Sequence, residues 1–185
     1  MKIIERLEYL NQLINVKDIP DIKVITGVRR SGKSKLMDMF HTYLNEKNNN
    51  VIHIKLNLKE FSELKNSDEL YKYVSNKYIA NMNNYLLIDE IQMCNGFENV
   101  INSFYEEEKY DIYLTGSNAF LLSSDLATLF GGRVFEVKVY PFSFKEYVIY
   151  YGMNDVDDSF DKFFKQGGMS GSYLYRNESD ALKYV

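Results

Sequence analysis

The chain has 185 residues, 45% of them hydrophobic and 26% charged, enough length and apolar content for one domain with a real core, which excludes wholesale disorder. Its 22 basic and 26 acidic residues leave a net charge of −4, which argues against a dedicated DNA-coating role and leaves nucleic acid neither indicated nor excluded as a partner. One cysteine, Cys94, excludes a disulfide framework and a cysteine-rich zinc site; no apolar run reaches the roughly 18 residues of a membrane span, and no signal-peptide pattern opens the chain, so no membrane partner and a cytoplasmic location are expected.

In chain order, the apolar spacing alternates between helix and strand. Ile3, Leu7, Leu10 and Ile14 predict an amphipathic helix over 2–15. Residues 21–26 read as a short apolar strand, and Leu36, Met39, Phe40, Tyr43 and Leu44 predict a helix over 33–47. A strand over 51–56 follows the turn run Asn48-Asn49-Asn50. Leu70, Tyr73, Val74 and Tyr78 predict a helix over about 67–81. After Asn83-Asn84, the run 85–88 is an apolar strand that ends in Asp89-Glu90. Phe97, Val100, Ile101, Phe104 and Tyr105 space as a helix, and 111–115 and 133–139 are further strands. This alternation predicts an α/β sandwich, and strands apolar on both faces suit a covered parallel sheet. Past Pro141, Ser143 and Glu146 have the spacing of a capping box that opens a helical, aromatic-rich stretch. The expected organisation is a core over 1–140 and a helical extension over 141–185.

The segment Gly27-Val28-Arg29-Arg30-Ser31-Gly32-Lys33-Ser34, followed by Lys35, fits G-x-x-x-x-G-K-[ST] between a predicted strand and a predicted helix. The glycines permit backbone torsions that turn N–H groups inward around phosphate oxygens. The helix that follows presents its positive end to the same anion. Lys33 reaches the β- and γ-phosphates, and the Ser34 hydroxyl is a ligand for Mg²⁺. Arg29 and Arg30 either clamp nucleotide or a partner, or stand in solvent.

Asp89 lies at the C-terminal tip of an apolar strand, where ligands of open α/β sheets sit, and is expected to hold Mg²⁺. Glu90 is placed to polarise an attacking water as general base, which favours hydrolysis over transfer to a small acceptor. No guanine-reading segment is present, which disfavours a GTPase. In Leu114-Thr115-Gly116-Ser117-Asn118, Asn118 is the candidate to orient that water; the competing reading is a cap for a following helix. Arg133 follows Gly131-Gly132 and is a candidate finger into the nucleotide of a neighbouring subunit, which would require a homo-oligomer; the competing reading is a surface arginine. His41 and His53 lack metal-site spacing, and Cys94 reads as a small apolar filler.

Together these residues resemble the AAA-type ATPases, in particular the bacterial and archaeal "ATP-binding protein" ATPases. The matching segments are GVRRSGKS at 27–34, LLIDEIQ at 86–92, LTGSN at 114–118 and GRVFEVKVYPFSFKEY at 132–147. Gly167-Gly168-Met169-Ser170-Gly171 looks like a later family segment in which proline usually stands at the position of Ser170. The resemblance implies a five-stranded parallel sheet in the order 5-1-4-3-2, ATP and Mg²⁺ as ligands, and roles for Lys33, Ser34, Asp89, Glu90, Asn118 and Arg133. It also makes Asn57 a candidate to hold Glu90 inactive. Members usually carry a further C-terminal domain, so the extension is expected to be an incomplete lid, with that domain or another protein as partner. The expected function is Mg²⁺-dependent ATP hydrolysis; the alternative is an ATP-dependent conformational switch with negligible hydrolysis.

Overall fold

The computed structural model describes residues 4–116, 128–153, 156–175 and 178–184. Five strands form one sheet: β1 (Ile22–Thr26), β2 (Asn50–Lys55), β3 (Asn84–Asp89), β4 (Asp111–Thr115) and β5 (Val134–Lys138). Their order is β2-β3-β4-β1-β5, and every pairing is parallel. This is the expected order read from the opposite edge. Parallel pairing puts all the C-terminal strand ends on one side, so Thr26, Asp89 and Thr115 reach the same rim.

Helices cover both faces. On one side α1 (Leu7–Asn15) and α2 (Lys33–Asn45) bury Leu13, Leu36, Met37 and Phe40 against Ile25, Leu87 and Tyr113. On the other, α3 (Ser67–Ser75) and α4 (Phe97–Glu106) bury Leu70, Val74, Ile101 and Phe104 against Val24, Ile54, Leu86 and Ile88. Successive strand residues point to opposite faces, so both faces of β3 enter a core and all six of its residues are buried. That double burial is why its sequence is a continuous apolar run. At the N-terminal rim, the buried Lys23 Nζ lies 2.5 Å from Asp111 Oδ1, and the Tyr85 hydroxyl donates to Asp18 Oδ1 at 2.6 Å.

Two helix ends and one added element differ most from expectation. Helix α1 starts at Leu7 rather than residue 2, because Arg6 leaves helical geometry to point into the loop after β1. Helix α3 stops at Ser75 rather than 81. The Asn50 side chain takes the Lys77 carbonyl, and Asn84 bonds the N–H and carbonyl of Ile79. Tyr78 keeps its apolar spacing by packing edge-on to Tyr110 at 5.8 Å, not by continuing the helix. A 3-10 helix, Lys59–Lys65, occupies a stretch with no predicted element.

Past Pro141 come α5 (Phe144–Tyr151), α6 (Val156–Gln166) and α7 (Glu178–Tyr184), the stretch expected to be a helical extension. The Ser143–Glu146 capping box forms as its spacing predicts. Tyr147 and Tyr173 are buried at its centre, with rings 5.3 Å apart. Phe164 stands out at 81% exposure.

Candidate functional site

The loop after β1 runs from Gly27 to Gly32 and feeds directly into α2. Gly27 has φ +147°, and a Cβ there would lie 2.2 Å from the Val139 carbonyl oxygen; no side chain fits. Gly32, at φ +101°, is the N-cap of α2. The Lys33 ammonium donates to the carbonyls of Gly27 and Val28 at 2.8 and 3.0 Å. Burial lowers the pKa of Lys33, opposed by the carboxylates of Glu90 and Asp89. Lys33 is only 5% exposed.

Asp89 is the hub. It is 1% exposed, and its Oδ1 accepts from Ser34 Oγ at 3.0 Å and from Thr115 Oγ1. Thr115 Oγ1 in turn accepts the Glu90 backbone N–H at 3.0 Å. One hydroxyl from β4 therefore braces both acidic residues at the tip of β3. Glu90 sits in the left-handed region at φ 60°, a conformation that costs a non-glycine residue about 1 kcal/mol. It is retained here at the point where the chain turns across the rim. The Glu90 carboxylate accepts from Gln92 Nε2. Spacing put the weight on Asn118 and overlooked Thr115; a hydroxyl at the last position of β4 was the available signal.

Behind the loop lies Arg6, also overlooked. It is 7% exposed and donates to the Ser31 carbonyl at 3.0 Å, the Tyr140 carbonyl at 2.9 Å and both oxygens of Glu146. Beside it, a cavity of about 230 Å³ is lined by Ile4, Leu36, Met39, Phe142 and Tyr150 among others.

The remaining candidates divide. Ser31 is buried within the loop, whereas Val28, Arg29 and Arg30 are exposed on its outer side. Arg30 adopts φ 68°. Lys35 is largely exposed and lies 3.5 Å from Asp38. Asn57 is exposed, two residues past the end of β2. Arg133 lies at the opposite rim, just before β5, where it pairs with Glu106 and covers the Tyr105 ring at 4.9 Å. It is not brought to the loop of its own chain. Asn118 lies outside the described residues.

The donor set suits a hard divalent cation: a hydroxyl and a carboxylate oxygen 3.0 Å apart, beside the loop that enters α2.

Comparison with known proteins identifies the family and the fold. The model of a family described as AAA domain matches residues 20–148. An uncharacterized protein of Haemophilus influenzae is 38% identical over 173 residues, 89% of this chain and 43% of the relative. An uncharacterized protein of Methanocaldococcus jannaschii is 32% identical over 164 residues, 83% of this chain and 34% of the relative. The chain thus spans less than half the length of these curated relatives. Among solved structures, AMPPCP-bound DnaA from Aquifex aeolicus matches with a TM-score of 0.61 and 19% identity, over 99% of this chain and 66% of that one. The Hsp104–casein complex of S. cerevisiae matches with a TM-score of 0.58 and 14% identity, over 98% of this chain and 36% of that one. At such identities the structural matches speak to the fold alone.

Proposed function

We propose that this chain, which belongs to the AAA domain family, binds MgATP at the loop 27–34 and hydrolyses it. The observation that carries the reading is the buried Asp89 carboxylate, tied at once to Ser34 of the loop and Thr115 of β4. Ser34 and Asp89 would hold Mg²⁺, which supplies positive charge against the phosphate oxygens. The backbone N–H groups of the loop and the N-terminus of α2 take the phosphates. Lys33 exchanges its carbonyl partners for phosphate oxygens. The apolar cavity lined by Leu36, Met39, Phe142 and Tyr150 suits a planar base.

Glu90 accepts a proton from water as the water oxygen bonds to the γ-phosphorus. The bond from phosphorus to the bridging oxygen breaks, and ADP leaves with the electron pair. Asn118 is assigned to orient that water, and Arg133 to complete the site of a neighbouring copy. Titration calorimetry with MgATP tests the binding step: the parent binds, and Lys33→Ala does not. Phosphate release at saturating MgATP tests the chemistry: Glu90→Gln keeps binding and falls at least about a hundredfold in rate, the scale of general-base catalysis. Parent-like turnover by Glu90→Gln removes the base assignment.

One observation favours the second reading, an ATP-dependent switch: the Glu90 carboxylate is engaged by Gln92. Tight MgATP binding without phosphate release by the parent selects the switch.

A further inference from the structure

Arg6 is a guanidinium held almost out of water, where such a group needs hydrogen-bonding partners. Four of its five N–H groups have them. Nε and Nη2 meet the two Glu146 oxygens at 2.6 and 3.2 Å. Nη1 meets the Tyr140 carbonyl at 2.9 Å and the Ser31 carbonyl at 3.0 Å. The guanidinium also faces the rings of Tyr9 at 4.4 Å and Phe142 at 5.3 Å. Only a planar fork serves acceptors in several fixed directions; a lysine ammonium is a point charge.

The Ser31 carbonyl is the informative partner. It belongs to the same peptide unit as the Gly32 N–H. In a trans peptide the two point to opposite sides. A donor that grips the carbonyl from behind therefore turns the Gly32 N–H toward the inside of the loop, where Lys33 also lies. Among the described residues, no backbone carbonyl takes that N–H. Glu146 has a double task. Its Oε2 closes the capping box on Ser143 N at 2.8 Å, and the same carboxylate neutralises and aims Arg6.

We propose that Arg6 is a positioning residue of the phosphate-binding loop, fixing the Ser31–Gly32 peptide so that the Gly32 N–H faces bound phosphate, and that Glu146 makes this hold depend on the seating of α5. The inference rests on reading the loop as a triphosphate site and adds a regulatory route to it. A partner or segment that shifts α5 draws Glu146 from Arg6, frees the Ser31 carbonyl and weakens the nucleotide site without touching it. The coupling runs both ways: bound phosphate fixes the same peptide and favours the seated extension.

The test uses the 185-residue chain with Arg6→Lys, which keeps the charge but loses the fork, and Glu146→Gln, which loses the charge but keeps a capping side chain. The Gly32 amide resonance, recorded without nucleotide, reports the peptide directly. Calorimetry then gives the MgATP affinity. Both variants should shift the Gly32 resonance and weaken MgATP by roughly tenfold, the scale of one charge-assisted hydrogen bond. If Arg6→Lys does not fold, Glu146→Gln carries the test. A Gly32 resonance that stays in place overturns the proposal even if affinity drops, since general loosening would do that. A shifted resonance with parental affinity overturns it as well. A parent that binds no MgATP removes the nucleotide reading and this inference with it. That failure shows itself before any substitution is made.

Discussion

A single hydroxyl organises the acidic end of the site. Thr115 Oγ1 donates to Asp89 and accepts the Glu90 N–H, so it sets the position of one residue's carboxylate and the other's backbone. Thr115→Val keeps the shape and removes both bonds, leaving the Glu90 N–H without its partner, at a cost of about 1–3 kcal/mol. The expected result is a melting temperature lower by roughly 2–10 °C, MgATP affinity within a few-fold of the parent, and phosphate release slower by at least about tenfold. Thr115→Ser should restore turnover. Parent-like release by the valine variant would reduce Thr115 to a strand-end filler. The residues of the loop and the pair Asp89-Glu90 were legible because each announces itself within a few positions. Thr115 and Arg6 were not. Their partners lie at sequence separations of 26 and 25 or more, and strand register is not written in spacing alone.

At the scale of elements, the central strands β3 and β4 were legible because burial on both faces leaves apolar runs, and α2 and α4 because one apolar stripe persists. The ends of α1 and α3 were hidden because distant side chains stop them: Arg6 turning to Ser31, Asn50 and Asn84 catching Lys77 and Ile79. The seam between α2 and β2 holds another feature that spacing did not show. His41 and His53 face each other with rings 4.8 Å apart. Burial pushes the His53 imidazole down to about 4, helped by His41 and Lys55 and opposed by Asp38 and Asp89. Burial also lowers His41, with Asp38 opposing and Lys55 assisting. Both folded-state values lie below the ordinary 6.5, so between pH 6.5 and about 4 the unfolded chain takes up protons that the folded chain refuses. This contribution is intact above pH 6.5 and is lost as pH falls through that window. Melting temperature should therefore drop between pH 7 and pH 5, by about 2–4 °C beyond the drop in His53→Phe. Equal slopes for parent and variant would show that the pair does not govern acid stability.

At the scale of the whole molecule, the sheet separates two chemistries. The loop, Asp89 and Thr115 occupy the C-terminal rim; Arg133 precedes β5 at the N-terminal rim, paired with Glu106. A parallel sheet makes this separation unavoidable, because every strand enters at one rim and leaves at the other. Arg133 therefore cannot serve its own nucleotide, and a catalytic role requires a second copy whose loop meets this rim. The half-exposed guanidinium, steered by a surface carboxylate and the Tyr105 ring, is available for that exchange. Its pair with Glu106 is worth little in water, so transfer to a triphosphate costs little. Arg133→Ala should thus leave MgATP affinity of the dilute chain unchanged. In the parent, phosphate release per chain should rise with protein concentration as copies associate. In the variant that rise should shrink at least tenfold, well within the effect of an arginine finger, while light scattering shows the same association. A variant whose release climbs with concentration as the parent's does would leave Arg133 a surface arginine and the site complete within one chain.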